Sequence, residues 1–164
     1  MIFCTLGTQL PFDRLLKIVD DAAVKLPDIE FFAQIADSTY VPKNIRWEKE
    51  ISESEYHSIL AKSKLIIGHA GMGTIISALD YDIPLIMLPR EFKLGEHRND
   101  HQLATAKRFC TFKGITVLQP DDNLAFLIRS TLSNKVQPQS MKAKDSKLDE
   151  LCRNINDVIK SSYR

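Results

Sequence analysis

From its first residues the chain alternates short apolar runs with longer stretches whose apolar residues recur at helical spacing. Residues 2–6 form an apolar run that ends at Gly7. Apolar positions 12, 15, 16, 19, 22, 23 and 26 then trace one face of a helix. Pro11 suits its first position and Pro27 lies just past its end. Residues 30–36 and 44–48 read as strands, and residues 52–62 as a helix whose opening Ser52-Glu-Ser-Glu55 resembles a capping box. Residues 64–67 read as a strand, followed at once by a glycine-rich loop and a helix to residue 81. Residues 83–88 are the next strand and 89–99 a polar loop; helix 100–112, strand 115–118 and helix 121–133 complete the series. Strands alternating with helices at this spacing predict a parallel sheet covered on both faces, with right-handed crossovers. The expected fold is an open, doubly wound, Rossmann-like α/β domain over residues 1–132.

A chain of 164 residues, 44% apolar, suffices for one such domain with a real core. The formal net charge of +1 argues against a partner recognised by bulk charge, such as duplex nucleic acid, whose affinity comes from many phosphate contacts. Cys4, Cys110 and Cys152 are far apart and odd in number, which disfavours a zinc ribbon or a disulfide framework and fits a reducing cytosol. The opening residues lack the basic segment of a signal peptide, and no apolar run approaches the roughly 20 residues of a membrane-spanning helix. Residues 133–146 carry Pro138 with several Ser and Gln and read as a linker. Beyond it, Leu148, Leu151, Ile155, Val158 and Ile159 make a narrow stripe on an expected C-terminal helix over 147–164. That helix either folds back on its own sheet or docks on another subunit.

In an open parallel sheet ligands bind beyond the carboxyl ends of the strands. Two glycine-containing loops occupy such ends, Gly7-Thr-Gln9 and Gly68-His-Ala-Gly-Met-Gly-Thr74. In the second, Gly71 and Gly73 clear side chains from the path of an anion approaching backbone N–H groups, and the following helix adds partial positive charge. Thr74 offers a hydroxyl, and His69 a donor whose protonation is expected to change near neutral pH. A tight turn with no ligand is the simpler alternative. The loop is not a Walker A motif, and it does not match G-x-G-x-x-G. In Gly95-Glu-His-Arg-Asn-Asp-His-Gln102, His97 and His101 stand four apart. They lack H-E-x-x-H and any nearby Cys, so a metal site is disfavoured. Asp100 is the expected N-cap of the next helix, with His101 and Gln102 directed at a ligand. Arg90 either meets phosphate or forms a structural salt bridge, and His57 is expected at the surface.

Four segments in register, Phe3-Cys-Thr-Leu-Gly-Thr-Gln-Leu-Pro-Phe-Asp-Arg-Leu15, His69-Ala-Gly-Met-Gly-Thr74, Pro84-Leu-Ile-Met-Leu-Pro-Arg90 and Glu96-His-Arg-Asn-Asp-His-Gln102, resemble the family 28 glycosyltransferase C-terminal domain, above all its stand-alone form. The likeness covers about residues 1–130. It implies the C-terminal, sugar-nucleotide-binding half of a GT-B fold, the acceptor half being a separate, membrane-associated subunit that holds a lipid-linked acceptor. It also implies that Gly7 and Thr8 face the donor diphosphate and that His69, Ala70, Gly71, Met72, Gly73 and Thr74 cradle it. Ile51 would lie beside the uracil, and Asp100, His101 and Gln102 would reach the sugar or diphosphate. His69 and Thr74 would stabilise the leaving group, with no metal or other cofactor and a general base on the partner. The implied activity is inverting transfer of a hexose such as GlcNAc from a UDP-sugar, in polysaccharide or glycolipid synthesis. The implied place is the cytoplasmic face of a membrane, reached through the partner. Two positions depart from the family pattern. Ser77 stands where many members carry a ribose-gripping Glu, with Asp80 one turn further on, and Gln34 is followed by Ile35 and Ala36 in place of Gln-x-Gly. A non-catalytic enhancer of a partner transferase is the alternative, and a sugar-nucleotide epimerase, which needs two such halves, is disfavoured.

Overall fold

The computed structural model describes residues 1–8 and 10–134; the expected linker beyond residue 134 and the C-terminal helix lie outside the described residues. Six parallel strands, β1 (Ile2–Thr5), β2 (Phe31–Gln34), β3 (Arg46–Glu48), β4 (Leu65–His69), β5 (Leu85–Leu88) and β6 (Ile115–Val117), form one sheet in the order β3-β2-β1-β4-β5-β6. Five α-helices accompany them: α1 (Asp13–Val24), α2 (Glu53–Lys62), α3 (Met72–Asp80), α4 (His101–Phe109) and α5 (Leu124–Ser133). This is the doubly wound Rossmann-like arrangement expected from the alternating pattern.

The central strands are buried on both faces, and alternate residues feed two cores. Ile2, Cys4, Leu65, Ile67, Ile86 and Leu88 meet the α1 and α5 side, where Leu15, Leu16, Val19 and Ile128 pack. Phe3, Ile66, Leu85 and Met87 meet the opposite side, with Leu60 of α2, Ile75 and Ala78 of α3, and Phe109 of α4. The helical stripe read from the sequence, from Phe12 through Leu26, is buried throughout. Between β2 and β3 no helix intervenes. That connection is pinned by the buried Asp20, whose carboxylate accepts from the Tyr40 hydroxyl at 2.7 Å and from the N–H groups of Lys43 at 3.0 Å and Asn44 at 2.8 Å.

Several expected boundaries move, each for a local reason. Helix α1 starts at Asp13, with Phe12 at the N-cap, so Pro11 precedes the helix and does not occupy its first position. Strand β4 runs on through Gly68 and His69, because pairing with β1 and β5 continues there. Helix α4 ends at Phe109, and α5 begins at Leu124 because the Asn123 side chain caps it, accepting from Phe126 N–H at 3.2 Å. The polar loop after β5 holds a short 3₁₀ turn, Phe92–Leu94.

The capping box at α2 is present as read. The Ser52 hydroxyl accepts from Glu55 N–H at 3.3 Å, and the Glu55 carboxylate accepts from Ser52 N–H at 2.8 Å. Ser52→Ala is expected to cost about 1 kcal/mol of stability, read as a lower urea midpoint at unchanged slope. An unchanged midpoint would show that packing alone holds the helix start.

Candidate functional site

Strands β1 and β4 are neighbours, but the chain leaves β1 toward one face of the sheet and β4 toward the other. Their carboxyl ends therefore part around a crevice, the position at which doubly wound sheets bind ligands. Here the crevice is a cavity of about 590 Å³ along the carboxyl edge from β3 to β5. At the β3 end it is lined by Ile51, Glu53 and Tyr56, in the middle by Gly7, Thr8 and the 69–74 loop, and at the β5 end by His97, His101 and Gln102.

His69 occupies the centre. Its ring is wedged between two glycines: a Cβ on Gly7 would sit 2.8 Å from Cε1, and one on Gly71 2.1 Å from Nε2. Gly7 also needs a φ of +76°, which side chains resist. Gly71 is thus required by the close approach of an imidazole. Gly73 is different. Nothing lies within 4 Å of where its Cβ would be, and it opens on the cavity. Gly71 is the N-cap of α3 and brings no side-chain cap, so the first N–H groups of the helix face the cavity without a side-chain acceptor.

The protonation expected of His69 is corrected. Burial first, then the positive charge of Arg90, pushes its pKa down to about 4, against a smaller opposing hydrogen bond with the Thr5 backbone. Through the neutral range it is an uncharged imidazole. The Thr74 hydroxyl lies 3.4 Å from its Nδ1. The Thr5 hydroxyl donates to Gln34 Oε1 at 3.0 Å, which ties the ends of β1 and β2 together beside the ring.

Arg90 makes no salt bridge among the described residues; the main chain holds it instead. Its buried guanidinium donates to four main-chain carbonyls: Leu6 and Leu10, both at 2.7 Å, Pro11 at 2.6 Å and Glu96 at 3.2 Å. It stacks over Phe12 with 4.5 Å from Cζ to the ring centroid. It is a strut that shapes the Gly7 loop, lending positive potential to the cavity it borders. Its own N–H donates to Gln102 Oε1 at 3.1 Å, which fixes that amide at the cavity wall. Arg14 extends the brace with a two-pronged pair to Glu96, 2.7 Å on each branch.

Of the residues singled out beforehand, Gly7, Thr8, Ile51, His69, Gly71, Met72, Gly73, Thr74, His101 and Gln102 line this one cavity. Three do not. Ala70 is buried in the core on the α3 side. Ser77 accepts from the Tyr56 hydroxyl at 3.0 Å. Asp100 stands at the N-cap position of α4 without capping it; its carboxylate accepts from Phe92 N–H at 2.9 Å. Gln34, which the sequence presents only as the start of an incomplete Gln-x-Gly, lines the cavity too, as do Glu53 and Tyr56, to which the sequence assigns no place in the site. Gln34 was findable as the polar end of an apolar strand, whereas the two α2 residues carry no local signal. His97 and His101 form an edge-to-face pair with centroids 4.5 Å apart. Among the described residues no group of three or more His, Cys, Asp or Glu is placed to hold a metal ion, and no helix is long and apolar enough to cross a membrane.

The model of the glycosyltransferase family 28 C-terminal domain matches residues 1–155. The chain belongs to that family, and its fold is the Rossmann-like half of a GT-B glycosyltransferase. Among solved structures it is similar to ALG13, at 18% identity and a TM-score of 0.60, covering 92% of this chain and 93% of that one. It is similar also to the calicheamicin glycosyltransferase CalG4, at 18% identity and TM-score 0.58, and to MurG of Acinetobacter baumannii, at 17% and 0.58. These matches cover 98% and 82% of this chain but only 39% and 42% of the larger ones, so the chain spans about two fifths of their length. No curated protein sequence matches it.

Proposed function

We propose that this domain is the donor-binding half of a two-component inverting glycosyltransferase, taking a UDP-sugar and passing its hexose to a lipid-linked acceptor held by a membrane-associated partner at the cytoplasmic face. One observation carries the reading: two glycines pressed against a neutral, half-buried His69, beside an uncapped helix start and a third glycine opening on empty space. That is a floor of N–H donors cleared for close approach, suited to a diphosphate. The nucleoside then lies toward Ile51, Glu53 and Tyr56, and the sugar toward His101 and Gln102.

As the bond from sugar to phosphate breaks, negative charge gathers on the departing UDP. The N–H groups that open α3 and the Thr74 hydroxyl are fixed donors for that charge, each worth about 2.7–4 kcal/mol where well aimed. The one N–H of a neutral His69 goes to the Thr5 main chain, and its ring supports the cradle between Gly7 and Gly71. The general base is assigned to the partner: among the described residues lining the cavity, the sole carboxylate is Glu53, at the nucleoside end. Calorimetric titration of the purified chain is expected to show UDP binding, with little sugar transfer until the partner is added. No heat with UDP at millimolar concentration, or full turnover by the single chain, contradicts the proposal. The enhancer reading has one observation in its favour: the position of the family's ribose-binding carboxylate is Ser77, turned to Tyr56. The same titration separates the two, since an enhancer that has lost donor use binds no UDP.

A further inference from the structure

Next to the diphosphate cradle lies a side chamber of about 470 Å³, lined by Leu10, His97, Arg98, Asn99 and His101. Leu10, His97 and His101 border both spaces, so the chamber opens off the cavity at the end away from the nucleoside residues. Both imidazoles have a buried Nδ1 with no hydrogen-bond partner. Buried polar atoms without partners are uncommon in folded proteins and mark places where something else belongs. Arg98 is exposed and makes no ion pair among the described residues.

The carboxylates close by in sequence are engaged elsewhere. Glu96 grips Arg14 and accepts from Glu91 N–H, Glu91 pairs with Lys93, and Asp100 holds Phe92 N–H. None of them lines the chamber. The Asn99 side-chain oxygen already accepts from His101 N–H at 3.4 Å. A neutral hexose presents hydroxyls whose protons need acceptors, and this wall supplies few. It supplies donors and positive charge. His97 is held below the usual histidine range by burial first, then by His101, Arg90 and Arg98, which marks the same positive region.

We infer, resting on the sugar-nucleotide reading above, that the chamber receives an anionic hexose, a hexuronic acid whose carboxylate accepts from Arg98 and from a ring N–H of His97 and of His101. The planar guanidinium fork matches a carboxylate, and charge-assisted bonds of this kind are roughly twice as strong as neutral ones. An anionic oxygen group here has a second source, a phosphate of the lipid-linked acceptor, and the test has an arm for it.

The full chain is titrated by calorimetry with UDP, UDP-glucose and UDP-glucuronic acid. All three are expected to bind, the glucuronic acid form about tenfold or more tightly than the glucose form, and Arg98→Gln is expected to cut that ratio below about threefold. Binding of UDP with no preference for the uronate overturns this inference and leaves the donor reading standing. Failure of UDP itself to bind overturns both. If the two sugar nucleotides bind equally while inorganic phosphate binds the UDP-saturated chain and Arg98→Gln abolishes that, the chamber holds a phosphate and the hexuronic assignment is wrong.

Discussion

Gly73→Leu is expected to lower UDP affinity by about a hundredfold or more, roughly 2.7 kcal/mol, while leaving the domain at least as stable as before. The two halves of this expectation come from one fact. Nothing stands within 4 Å of the Cβ position, so a side chain starts there without a clash, at the wall of the cavity. Gly73 is the second residue of α3, and its backbone is helical. A helix former in that place gains up to about 1 kcal/mol over glycine, less near a terminus. The neighbouring glycine behaves differently. At Gly71 an added Cβ falls 2.1 Å from His69 Nε2, so Gly71→Ala displaces the imidazole and lowers stability and binding together. Calorimetric titration beside a thermal melt reads both quantities. A Gly73→Leu protein that binds UDP within about threefold of the parent would remove the diphosphate from this loop, whatever the fate of the Gly71 variant.

This contrast shows what the sequence could and could not reveal. The glycines after β4 announced a cleared strand-to-helix turn, but their separate tasks depend on where the His69 ring lies, and only the packed fold settles that. The strands and helices were readable because their apolar residues repeat at helical spacing or in short continuous runs, and the stripe from Phe12 to Leu26 became core without exception. Boundaries were readable only where a local signal set them, as with Ser52 and Glu55. Gly68 looked like the first residue of a loop. It is a strand residue paired with Thr5, and a Cβ there would meet Thr74 Cγ2 at 2.9 Å and the Thr5 carbonyl at 3.1 Å, which leaves no room for a larger side chain. Ala36 likewise holds a φ of +47° where the family pattern has glycine, so the turn after β2 persists although its residue type changed. Ser77 could be identified as the missing Glu, yet its partner Tyr56 lies 21 residues away on another helix. Asp100 had the residue type and place of an N-cap, and a backbone N–H eight positions earlier took its carboxylate instead.

Arg90 was the residue least open to reading from sequence, and its replacement is expected to have the largest effect on stability. Its acceptors Leu6, Leu10 and Pro11 lie 79 to 84 positions away, and no pattern near Pro89 points to them. Arg90→Met keeps much of the volume but leaves four carbonyls without their donor, two of them at 2.7 Å. An unsatisfied buried carbonyl costs about 1–3 kcal/mol, so even with partial rehydration the loss is expected to reach at least about 3 kcal/mol. Arg90→Lys puts an amine where burial already pushes the guanidinium pKa down to about 10. A compact ammonium has three donors and no planar fork, so it cannot serve four carbonyls spread over two loops. Arg90→Lys is therefore expected to fold with an intermediate loss of stability and to bind UDP more weakly than the parent, because the loop bearing Gly7 and Thr8 is no longer held against the β5 end. Urea unfolding combined with UDP titration checks both. A methionine variant with the parent's midpoint and affinity would mean that the brace from Arg14 to Glu96 holds these loops unaided, and Arg90 would lose its place as the support beneath the diphosphate site.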